Sequence, residues 1–156
     1  MNDTRFQLLG EIRYAERLAA RTARLYRRVQ TLSTFMAIVG GSAALASLVK
    51  DLPIALPLAG AAMLSIFGAL SISIRPADKA AQNETDARRY SALMTKANDL
   101  DDAALRKALD ETHQAVSTPE VEPLRVVVYN DVVREVGQPS YAHPLNWQQR
   151  IVAMLA

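Results

Sequence analysis

The residues that could do chemistry are spaced for surfaces, not for catalysis. His113 and His143 lie far apart in the sequence, and neither falls in a spacing such as His-Glu-x-x-His that sets two imidazoles on one helix face around zinc. The acid pairs Asp101-Asp102 and Asp110-Glu111 are in-line neighbours. On a helix such neighbours point about 100° apart and do not converge on a substrate. There is no cysteine, which excludes a disulfide framework, a thiolate metal site and a Cys nucleophile. Gly40-Gly41 sits inside a long uncharged run rather than between a strand and a helix, so it is not a phosphate cradle, and no serine occupies a nucleophile elbow. The expectation is no enzyme, no metal and no cofactor.

The periodic small and polar side chains point instead to helix association. Gln30, Ser33, Ala37, Gly40, Ala44 and Ser47 recur at spacings of 3, 4, 3, 4 and 3, and Ala61, Ser65, Ala69 and Ser73 recur every four residues. In hydrocarbon, lipid tails are as apolar as Leu, so helices associate through small residues that let backbones approach and through modest polar bonds. Two readings follow. The seams pack a hairpin on itself, or the Gln30/Ser33/Ser47 seam faces its copies in an oligomer and lines a water-filled path. The seams carry no ionisable residue of the kind that marks an ion route, which favours self-packing. Leu32, Phe35, Val39, Leu45 and Val49 lie off the seam and are expected to meet lipid.

The elements that must hold these seams are two apolar helices. Between Val29 and Ile74 the only charged residues are Lys50 and Asp51, which divide the stretch into uncharged runs of 21 residues (29–49) and 23 residues (52–74). Each exceeds the roughly 18 residues a bilayer-spanning helix needs, and a core helix of a small soluble protein would show one polar face. The short turn forces the two spans antiparallel, with Asp51 able to cap the second and Pro53 in its first turn. A slight kink is expected at Pro57. Seven Arg precede the spans, Arg24, Arg27 and Arg28 nearest, and Arg75 and Lys79 follow them, while the turn offers only Lys50. The basic excess predicts both termini on the cytoplasmic side. A pI near 9.1 is therefore read as topology and lipid contact, not nucleic-acid binding. The first 28 residues are too charged for a signal peptide.

The predicted architecture is an all-α integral membrane protein: a transmembrane hairpin with N- and C-terminal cytoplasmic helices packed as a small bundle. Residues 1–28 form a basic helix continuous with the first span, with Leu8, Ile12, Ala15, Ala19, Thr22, Tyr26 and Val29 on one face. Residues 29–74 are the hairpin. Pro76 ends or bends the second span, because it cannot donate back to Ile72. In 75–118, a helix with Ala80, Ala87, Tyr90, Met94 and Ala97 in a stripe returns along the first, and a short helix buries Leu105, Leu109 and Val116. Ser117-Thr118-Pro119 punctuates the chain. In 119–156, residues 124–136 have strand composition, but Pro123, Gly137 and Pro139 are helix start and stop signals, which favours helix. A last helix sets Trp147, Ile151, Met154 and Leu155 on one face. Docking on the bundle is expected for it, the alternative being the headgroup level, where Trp is at home.

The basic helix from Glu11-Ile12-Arg13 through Arg27-Arg28, the two spans with a minimal outer turn and the long helical tail together resemble the SLATT family. The Tyr129-Asn130-Asp131-Val132-Val133 stretch and the Pro144-Leu145-Asn146-Trp147-Gln148 end are similar to tails of small bacterial membrane proteins of this sort. The resemblance covers about 100 residues and implies a two-transmembrane effector of bacterial conflict systems. Such a protein sits in the inner membrane, oligomerises on a signal from a sensor or nucleotide-signalling partner protein, and permeabilises the bilayer. A membrane-anchored adaptor and a phage holin-like lysis protein are the alternatives.

Overall fold

The computed structural model describes residues 3–46, 53–116 and 121–156. Ser47, Val49, the Lys50-Asp51-Leu52 turn and the Ser117-Thr118-Pro119 punctuation lie outside them. Among the described residues every regular element is helical. They are α1 (Asp3–Ala46), α2 (Ala55–Ile74), α3 (Pro76–Lys96), α4 (Asp102–Ala115), α5 (Glu122–Glu135) and α6 (Trp147–Leu155), with 3-10 turns at Ala97–Asp99 and Pro139–Tyr141. The chain divides into two compact units, Tyr26–Asp78 and the pair Met1–Leu25 with Lys79–Ala156. α1 is assigned as one helix from Asp3 to Ala46.

The Tyr26–Asp78 unit contains the rest of α1 and α2. Both helices are long and apolar enough to cross a membrane, and only 11% and 6% of their apolar windows is buried. A core helix of a soluble protein would be mostly buried. Here Leu32, Phe35, Ile38, Leu45, Leu58, Ile66 and Ile72 are all more than half exposed. α2 begins at Ala55, later than the sequence reading, so Pro57 is its third residue. The first four N–H groups of a helix have no intrahelical partner to lose, so the kink expected at Pro57 has no cause. At the other end Arg75 takes a left-handed conformation (φ 49°) and donates its N–H to the Ser71 carbonyl. The residue before a proline is disfavoured in the right-handed helical region, and Pro76 then opens α3.

The second unit has its main core where α1, α3 and α4 meet. Leu8 and Ile12 pack with Tyr90, Leu93, Ala97, Leu105 and Leu109. The Arg5 guanidinium closes this end. It donates to the carbonyls of Ala97 and Leu100 and to Asp102 Oδ1 (3.0 Å), so carbonyls at the end of a helical segment that lack intrahelical donors are satisfied by a cation. Asp101 caps α4 by accepting from Ala104 N at 2.7 Å.

α5 resolves the choice between helix and strand at 124–136. Pro123 lies in its first turn. At its end Gln138 N–H reaches the Val133 carbonyl and Gly137 N–H that of Arg134, with Gly137 at φ 77°. This paired pattern needs a left-handed residue after the cap, a conformation glycine adopts at little cost. Val127, Val128 and Val133 are buried, so packing outweighs the strand preference of the valines. α6 starts with a reciprocal cap: Gln149 N–H donates to Asn146 Oδ1, and Asn146 N–H to Gln149 Oε1. It packs on α5, but not through the expected face. Trp147 is 70% and Met154 75% exposed, and Ile151 and Leu155 are exposed too. The more buried residues are Leu145, Gln149, Val152, Ala153 and Ala156.

Candidate functional site

The seam of the apolar unit is built on a glycine pair. A Cβ added at Gly40 would lie 2.6 Å from the Gly60 carbonyl oxygen and 2.9 Å from Leu64 N. One added at Gly60 would meet the Gly40 oxygen at 2.6 Å and Ala43 Cβ at 2.9 Å. The backbones of α1 and α2 thus touch where both residues lack side chains, the close approach small residues permit. Ser33 and Gly40 are buried, and Gln30, Ala37 and Ala44 are partly buried on the same side of α1. Gln30 donates to Thr34 Oγ1 at 3.1 Å, and its Oε1 accepts from Ser71 Oγ at 3.5 Å.

On α2 the facing set differs from the sequence expectation. Ala61, Ser65, Ala69 and Ser73 are exposed, whereas Pro57, Gly60, Met63, Phe67, Ser71 and Ile74 are among the less exposed positions. The self-packing reading of the α2 set is therefore corrected: the intrachain partner of the Gln30 seam runs through Gly60 and Ser71, neither of which the sequence spacing singled out. Arg24, Arg27, Arg28 and Arg75 are exposed and Lys79 is half-buried.

In the other unit, a cleft of about 470 Å³ opens between α1, α3 and α4. Its lining includes Tyr14 and Thr22 from α1, Asn83, Asp86 and Tyr90 from α3, and His113 from α4. α3 presents Ala80, Asn83, Asp86, Tyr90 and Leu93 as its buried stripe, continued by Ala97 in the 3-10 turn that follows. Of the expected stripe, Ala80, Tyr90 and Ala97 are buried and Met94 packs partly buried against the core, while the polar Asn83 and Asp86 are buried beside them. Asn83 donates its amide to the Lys79 carbonyl at 2.8 Å. Asp86, 4% exposed, accepts from Arg89 at 3.1 Å, and the same guanidinium nitrogen donates to the Ala115 carbonyl. His113 is exposed and sets its ring edge-on to Tyr90 with centroids 5.6 Å apart. Sequence reasoning missed this cleft. Its available signal was Asn83 and Asp86 at helical spacing with Ala80, Tyr90 and Ala97.

A separate polar groove on the same unit holds the arginine face of α1 against α5. Arg21 meets Asp131 at 2.6 Å and Arg17 pairs with Glu135. Among the described residues no group of three or more His, Cys, Asp and Glu is arranged to hold a metal ion. Comparison of the chain with protein-family models, curated proteins and solved structures returns no match.

Proposed function

We propose that the chain is a two-span effector of the bacterial inner membrane, with both termini cytoplasmic, which assembles with its own copies and perturbs the bilayer on a signal received from a sensor partner or by its helical cytoplasmic unit. The observation that carries this is the apolar surface of α1 and α2. Large side chains such as Phe35, Ile38, Leu58 and Ile72 point outward while glycines meet inside, the inverse of a soluble protein and the arrangement lipid selects. The closed Gln30–Ser71 contact corresponds to the resting state in this reading. The exposed Ala61, Ser65, Ala69 and Ser73 face offers small residues to a neighbouring copy.

Strong induction in a bacterial host, with the activating partner present, should collapse the membrane potential read by a voltage-sensitive dye. Added bulk on the small-residue face of α2 is the informative perturbation: Ser65→Leu with Ala69→Leu should preserve insertion and abolish the collapse. An intact potential in the unsubstituted protein would refute the effector reading.

A membrane-anchored adaptor is favoured by one specific observation: the polar seam of α1 is used within the chain, by Gln30 with Thr34 and Ser71. Replacing residues 29–74 with an unrelated two-span hairpin distinguishes the two, because an adaptor keeps its activity and an effector loses it.

A further inference from the structure

We propose that the outer face of α6 rests on the anionic surface of the bilayer that α1 and α2 cross, so that this helix holds α5 with one side and lipid with the other. The inference rests on the two-span reading. At about 100° per residue, Trp147, Ile151, Met154 and Leu155 fall within one arc of about 100°, and all four are exposed. Gln149, Val152, Ala153 and Ala156 occupy the opposite arc and are the less exposed positions, and α6 packs on α5. Gln148 and Arg150 stand at the two borders. The large apolar side chains therefore point away from the helix behind them, with Trp147 70% exposed.

The chemistry of the segment selects lipid. Arg150 is the one formally charged side chain between residues 136 and 156, and no Asp or Glu occurs there. Its Nε donates to the Leu145 carbonyl at 3.2 Å, which holds the guanidinium at the border of the apolar stripe. A long basic side chain in that place lays its stem along apolar surface and sets its head among phosphates. Tryptophan favours the same depth, and the anionic lipids of the cytoplasmic leaflet attract the cation. A second copy answers this face less well. A two-fold contact sets the same patch against itself, which would bring Arg150 to Arg150 with no carboxylate from this segment. The helix has nine residues, so the stripe is about 14 Å long and about 10 Å wide, far short of the roughly 800 Å² per partner of a stable interface.

Trp147 is the single tryptophan of the chain and reports on this face directly. The full chain is reconstituted into vesicles of phosphatidylethanolamine with phosphatidylglycerol, and into vesicles of phosphatidylcholine alone, each with and without lipid brominated on the acyl chain near the headgroup. In the anionic vesicles bromolipid should quench tryptophan emission at least twofold, and aqueous acrylamide should quench it weakly. In the neutral vesicles the bromolipid effect should be smaller. Ile151→Glu, at an exposed position, should restore acrylamide access and remove most of the bromolipid quenching. Arg150→Glu should erase the difference between anionic and neutral vesicles, with helix content of both variants checked by circular dichroism. Resistance to an alkaline carbonate wash is measured on the same vesicles. A chain that washes off refutes the two-span reading and this proposal together, whereas a chain that stays but leaves Trp147 open to acrylamide and untouched by bromolipid overturns this proposal alone. Shielding from both quenchers would show that protein covers the stripe and would also overturn it, as would bromolipid quenching that is equal in the two kinds of vesicle or unchanged by Ile151→Glu.

Discussion

Asn130 and His143 are joined by two hydrogen bonds of 2.8 Å, the Asn130 amide donating to the His143 carbonyl and the His143 N–H donating to Asn130 Oδ1. Asn130 is 2% exposed, and its side chain replaces the strand partner that this irregular backbone lacks. The rings of Tyr129 and His143 stack beside it at 5.2 Å. Removing the side chain leaves a backbone donor and acceptor unpaired, so Asn130→Ala should destabilise this unit by about 1–3 kcal/mol. Amide hydrogen exchange reads the cause directly: the His143 amide should lose protection in the variant. Unchanged protection there would refute the pairing.

The glycines form a graded series with opposite signs. At Gly40 a methyl group collides with backbone on α2, at Gly41 it finds ordinary contact with Leu64 side-chain atoms, and at Gly10 nothing lies within 4 Å. Gly40→Ala should therefore cost about 1–3 kcal/mol, the usual range for overpacking. Gly10→Ala, in the interior of α1, should stabilise by about 0.5–1 kcal/mol because glycine loses more backbone freedom on folding. Thermal melting in mild detergent should rank the variants Gly10→Ala, Gly41→Ala, Gly40→Ala from most to least stable.

The two sides of the hairpin show what the sequence could reveal. On α1 the 3-4 alternation of Gln30, Ser33, Ala37, Gly40 and Ala44 follows the helical repeat, and these residues are the less exposed ones. On α2 a strict four-residue spacing overshoots one helical turn by about 40° per step. Over three steps that drift totals about 120°, so Ala61, Ser65, Ala69 and Ser73 stay on one broad side of α2, the side opposite Gly60 and Ser71, and are exposed; the spacing marks a face but not which neighbour it meets. The cleft was illegible for another reason: Thr22, Asp86 and His113 come from three helices and converge only after packing. In α6 the sequence defines an apolar face, but the side that docks is the one carrying Gln149, Val152 and Ala156.

The Arg5 side chain ties the start of α1 to three acceptors: the carbonyls of Ala97 and Leu100 and the Asp102 carboxylate. It is 23% exposed, so water replaces these bonds only in part. Arg5→Ala should lower stability by about 1–3 kcal/mol. Arg5→Lys should recover less than half of that, because an ammonium is a point charge without the planar fork. Urea unfolding followed by helix signal checks both, and full recovery by lysine would show that charge alone suffices.

Among the ion pairs joining α1 to α5, Arg21–Asp131 and Arg17–Glu135 differ in burial and should differ in worth. Arg21 and Asp131 have side chains 22% and 20% exposed, whereas Arg17 and Glu135 are 39% and 38% exposed. Water and salt screen the more exposed pair, for which coupling of about 0.2–1 kcal/mol is typical. The Arg21–Asp131 pair gives up more hydration but gains a stronger field. Double-mutant cycles to Ala should give it the larger coupling, about 1–2 kcal/mol, extrapolating above the exposed-pair range. Raising ionic strength from about 0.1 to 1 M shortens the screening length from about 10 to 3 Å. The Arg17–Glu135 coupling should then fade proportionally more than that of Arg21–Asp131, and equal loss in both would show that burial does not set their difference.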